Sequence, residues 1–141
     1  MNTAHFHPML VHFPVAIILV GFVVELASWF WKKEHWLPKA SLILLLFGTL
    51  SALAGYLSGE FFTNELTGEA GKIKDLHELF AKITLGMMIL VSLLKIIVMR
   101  NKNENKGLQF LVLVLYAIGA ALVSYTGFLG GTMVMNYMIG L

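Results

Sequence analysis

The residues of this chain best able to do chemistry are its histidines and a few charges inside apolar sequence. The histidines are His5, His7, His12, His35 and His77. Neutral imidazole is the commonest metal ligand among side chains, and it holds haem iron in many proteins. Glu25 and Lys95 lie within long apolar runs. An ionisable group in such a setting is expensive to keep and is a functional candidate by default. Glu60 follows a stripe of small residues, Gly48, Ala52, Gly55 and Gly59. The chain has no cysteine, which excludes disulfides, thiolate zinc sites, cysteine-ligated iron–sulfur clusters and covalently attached c-type haem. No Ser/His/Asp logic, phosphate loop or nucleophile elbow is present. The expectation is therefore a binding or electron-transfer protein, not an enzyme.

The elements that must position these residues follow from composition. Of 141 residues, 58% are hydrophobic and 13% charged, against roughly 25% charged in soluble domains. A chain solvated by lipid needs no polar coat. The net charge of +2, with no basic run interleaved with aromatics, argues against nucleic acid. Four apolar stretches stand out, at about residues 8–31, 37–58, 76–99 and 108–129. Each is close to the ~20 residues that cross a ~30 Å hydrocarbon core as a helix. The runs are continuously apolar, not alternating, so sheet is excluded. The predicted fold is all-α, a single transmembrane domain over residues 1–141 built as an up-down four-helix bundle. Pro8 and Pro38 suit first-turn positions. Pro14 lies inside the first helix and predicts a modest kink. The segment from Gly59 to Asp75 reads as the longest connection, and Arg100 to Gly107 as a short polar turn.

Cations set the orientation. Lys32, Lys33 and Lys39 flank the first loop, and Lys95, Arg100, Lys102 and Lys106 flank the third. Lys72, Lys74 and Lys82 stand near the second among Glu60, Glu65, Glu69, Asp75 and Glu78. The positive-inside rule predicts loops one and three in the cytoplasm of a bacterial inner-membrane protein, with both termini outside. Trp29, Trp31 and Trp36 form an aromatic belt at the cytoplasmic boundary. The same threading brings His5, His7 and His12 to the depth of Glu60 and His77, near the periplasmic face. Two imidazoles at one depth on two helices can ligate a b-type haem, and bundle cores are common cofactor sites.

His12 and His77 are the first candidates for axial ligands, with His7 as substitute. Glu60 would orient a ligand imidazole through its second nitrogen, and Gly55 and Gly59 would give the flat ring room. On an ideal helix His7 and His12 are about 140° apart, so they do not face one metal together. Two other readings use the same residues. His12, His77, Glu60 and His7 form a nitrogen–oxygen ligand set for zinc, copper or another divalent ion. Alternatively the histidines are only hydrogen-bonded, in a structural subunit of a larger membrane complex. Met133, Met135 and Met138 suggest Cu(I) less strongly than apolar anchoring at the interface. Small-residue stripes on the second helix and on the fourth (Gly119, Gly127, Gly131) suit close helix packing or a homodimer. Glu25 and Lys95 lie at similar depths in the first and third helices, which predicts an ion pair between them.

Several of these segments resemble a known family. His7-Pro8-Met9-Leu10-Val11-His12-Phe13-Pro14, followed by Glu25, resembles the opening HPxxVHFP…D/E pattern of a bacterial membrane family known as domain of unknown function 2231. Gly55-Tyr56-Leu57-Ser58-Gly59-Glu60 is similar to its Gly-x-x-x-Gly-acid segment, and Leu76-His77 to its third-helix histidine. Gly130-Gly131-Thr132-Met133-Val134 through Gly140 is similar to its terminal GGxLVYxxGVG. Here Met135 stands in place of the tyrosine, for which Tyr137 is the substitute, and Met138-Ile139-Gly140 in place of GVG. The resemblance spans nearly the whole chain and implies four helices. Relatives fused to or associated with c-type cytochrome domains imply an electron-transfer role with a periplasmic cytochrome or respiratory complex as partner.

Overall fold

The computed structural model describes the backbone of residues 6–62, 67–102 and 104–137, and the side chains of 12–58, 67–69, 71–102 and 104–132. It contains four helices, α1 Phe6–Phe30, α2 Leu37–Phe62, α3 Gly68–Arg100 and α4 Lys106–Tyr137. Each contains a segment long and apolar enough to cross a membrane, His12–Phe30, Leu37–Ser58, Gly71–Arg100 and Lys106–Thr132. The all-α four-helix architecture expected from the sequence is present. In this up-down arrangement the start of α1 and the end of α4 share one end of the bundle. The α1–α2 and α3–α4 connections, with most of the lysines, share the other. We call the latter the basic end and the former the histidine end.

The expected limits of the second connection need correction. Gly59 to Asp75 is mostly helix, since α2 runs on to Phe62 and α3 starts at Gly68. Low hydropathy marks where a segment leaves lipid, not where it stops being helical. Thr67 takes the extended N-cap conformation ahead of α3, and Glu69 lies in the first turn, where a carboxylate complements the helix dipole. Lys74 and Glu78 then pair at 3.4 Å in i,i+4 spacing. Pro14 lies inside α1, which continues through it as helix.

α1 packs along α2 and α4, and α3 packs along α4 and α2, so α1 and α3 face each other across a diagonal. Ile18, Leu45, Met88, Val91 and Tyr116 are fully buried at the centre. Small residues set the close approaches. A Cβ added at Gly48 would come within 2.7 Å of Ile18 Cγ1, and one at Gly119 within 2.5 Å of Met88 Sδ. Large apolar side chains cover the outside, with Phe30, Phe128, Val23 and Leu50 among the most exposed. Lipid is the solvent those surfaces suit. At the basic end Trp31 and Trp36 are exposed, and the Lys32 ammonium sits 5.7 Å from the Trp29 ring centroid.

Candidate functional site

Buried polar side chains gather at two levels of the bundle, one towards each end. The α3 face that carries His77, Thr84, Met88, Val91, Ser92 and Lys95 is buried along its length. Its spacing of seven, four, three, one and three residues follows one side of a 3.6-residue helix. From His77 to Lys95 the rise is about 27 Å, close to the thickness of a hydrocarbon core.

At the histidine end, His77 is 7% exposed. Its Nδ1 lies 3.0 Å from the backbone carbonyl of Thr126 on α4. A carbonyl only accepts, so Nδ1 carries the proton and donates it. In the neutral ring the lone pair is then on Nε2, the tautomer that a histidine uses when Nε2 ligates a metal. The Thr126 oxygen has a second lone pair for this bond besides the one its own helix uses. Gly130, one turn further along α4, makes room for the ring, since a Cβ there would approach His77 Cε1 to 3.2 Å. Thr84 and Thr126 hydroxyls meet at 3.2 Å just inside this level.

The other histidine-end candidates are not all brought to this ring. His12 is exposed on the outside of α1. His5, the side chains of His7, Gly59 and Glu60, and Met133, Met135, Tyr137 and Met138 lie outside the described residues or side chains. Gly55 is buried in α2, where it suits close packing. Among the described residues no group of three or more His, Asp or Glu side chains comes together as a metal-binding cluster. The bond to Thr126 and the room left by Gly130 hold the His77 ring in one orientation. His35 is exposed at the basic end.

Towards the basic end the predicted ion pair is present. Lys95 Nζ donates to Glu25 Oε2 at 2.6 Å, with both side chains only 6% exposed. The Ser41 hydroxyl of α2 donates to the same carboxylate oxygen. The bridge spans the α1–α3 diagonal, and Ser41 closes it from the side. Tyr116 of α4 is fully buried beside these groups, its ring 5.8 Å from that of Phe22. Ser41, Tyr116 and Thr126 were missed in the sequence, and Gly130 was read only as part of the terminal motif. Their signal was a small or polar residue on the side of each helix that carries the other unusual residues. Between the two levels the Thr49 and Ser92 hydroxyls lie 3.1 Å apart, each also within reach of a carbonyl of its own helix, and when one donates to the other it gives up its own carbonyl.

No curated protein and no solved structure matches the chain. The family model described as "Predicted membrane protein (DUF2231)" matches residues 3–141. Four membrane-length helices and a match over nearly the full length agree, and the chain belongs to that family of predicted membrane proteins.

Proposed function

We propose that this chain is a membrane electron-transfer protein that holds a b-type haem at its histidine end, with His77 as one axial ligand. The observation that carries the reading is the bond from His77 Nδ1 to the Thr126 carbonyl. It fixes the ring and makes Nε2 the nucleophilic pole, as the second partners of ligating histidines do. The family resemblance of the histidine segments, with its cytochrome-associated relatives, supports the same role.

The second ligand is assigned to α1. The buried positions of that helix, Pro14, Ile18, Gly21 and Glu25, repeat at intervals of four, three and four. Position 7 precedes Pro14 by seven residues, nearly two full turns, and so shares that register. Position 12 does not, in keeping with the exposure of His12. His7 is therefore preferred to His12 as the partner of His77, and Glu60 at the end of α2 would steady one of the two rings. The haem would supply one-electron redox chemistry, and the chain would supply ligands and a low-dielectric surround. A periplasmic c-type cytochrome or a respiratory complex is the proposed partner, with the basic end in the cytoplasm of the inner membrane.

The test is an absorbance spectrum of protein expressed with ample haem. A Soret band that shifts on reduction is expected in the native chain and in His12→Ala. It should be lost in His77→Ala and His7→Ala. A colourless native protein that takes up no added haemin ends the proposal.

A further inference from the structure

Glu25, Ser41 and Lys95 meet through hydrogen bonds in the third of the bundle nearest the basic end, and Tyr116 of the fourth helix is buried in the same third. Their hydrogen bonds do not close on themselves. Glu25 Oε2 accepts from both Lys95 and Ser41, whereas Oε1 accepts none among the described residues. An ammonium has three donors, and the Lys95 group uses one of them on Glu25. Tyr116 Oη is buried and has no partner, alone in this among the described side chains. Its position is not accidental crowding. Gly21 stands opposite, and a Cβ there would collide with Oη. Gly21 precedes Glu25 by four residues on the same side of α1, about 6 Å along the axis.

A buried hydroxyl with no partner is a standing penalty that phenylalanine, of almost the same shape, would avoid. An unused donor, an unused carboxylate oxygen and two unused ammonium protons within one junction are the surroundings that hold an internal water, which needs two to four polar partners. We propose that a water molecule is bound in this junction, bridging Tyr116 Oη to the Glu25–Lys95 pair. The site is closed towards the histidine end by Ile18, Leu45, Met88 and Val91, all fully buried. The water is thus enclosed with the ion pair on the basic-end side of that apolar layer. It is separate from the haem reading and stands or falls without it.

Tyr116→Phe and the native chain, reconstituted in the same lipid, test the site by two measurements. Proton-detected solid-state NMR should show a cross-peak between bulk-exchanging water and the Tyr116 phenol in the native chain. Thermal unfolding should show Tyr116→Phe melting several degrees lower, because the water loses a partner. A native spectrum without that cross-peak overturns the proposal. So does a Tyr116→Phe protein that melts at or above the native temperature, the result expected if the hydroxyl were merely unsatisfied.

Discussion

Removing the Lys95 ammonium should expose how much of the bundle's stability depends on one diagonal contact. The charges of Glu25 and Lys95 are 2.6 Å apart. With an effective dielectric of about 20, Coulomb's law gives ~6 kcal/mol of attraction at that distance. Much of this offsets the desolvation of two ions, so the net contribution of the intact pair over an apolar pair is small. The single variant is a different comparison. Lys95→Met leaves a carboxylate in the bundle with the Ser41 hydroxyl as its one remaining side-chain donor among the described residues, and breaking a buried pair in this way costs about 3–5 kcal/mol. The lower figure is expected here, because in a membrane the unfolded helices also find polar partners. Glu25→Gln combined with Lys95→Met removes both charges and should return stability to within about 1 kcal/mol of the native chain. The double variant should then be about 2–3 kcal/mol more stable than Lys95→Met alone, well above the usual error of such cycles. Equilibrium unfolding in mixed micelles, followed by circular dichroism, gives all the required values. Additive losses, with the double variant the least stable, would refute the claim that the pair acts as a unit.

The glycines give sharper steric predictions. Gly21→Ala should destabilise the native chain by about 1–3 kcal/mol through overpacking against Tyr116 Oη. The same change in a Tyr116→Phe background should cost less, and a cycle measured by thermal unfolding checks it. Gly48→Ala should cost a similar amount, because its Cβ would press on Ile18 of the neighbouring helix. Gly86→Ala has nothing within 4 Å of the new carbon, so it should be neutral or gain up to about 1 kcal/mol from helix propensity. Equal losses at Gly48 and Gly86 would contradict the packing described for α1 and α2.

The number and order of helices were legible because lipid imposes a length on any spanning segment, and four runs of that length occur. The Glu25–Lys95 pair was legible for a related reason. Each residue stands five positions from the basic end of its helix, Phe30 and Arg100 respectively, and equal depth in an antiparallel bundle brings such residues level. Helix ends were less legible. Gly68 to Asp75 is polar enough to leave the bilayer, and a hydropathy reading stops there although the backbone continues as helix.

Which face of a helix turns inward was the hardest question, and its difficulty is physical. In water the buried face is marked by being apolar, but in lipid the outer face is apolar as well, so hydrophobic contrast around α1, α2 and α4 nearly vanishes. The inward positions are marked instead by what lipid would not accept or what close helices require. Gly21, Glu25, Ser41, Gly48, Thr84, Ser92, Lys95, Gly119 and Ala120 are all buried, while Phe13, Val23, Phe47, Leu50 and Phe128 are more than half exposed. With this inverted rule, His12 beside the exposed Phe13 belongs to the lipid side of α1, and position 7 falls in line with Pro14, Gly21 and Glu25. The choice between the two histidines thus rests on helical register. The spectra of His7→Ala and His12→Ala therefore test the inverted rule as well as the haem.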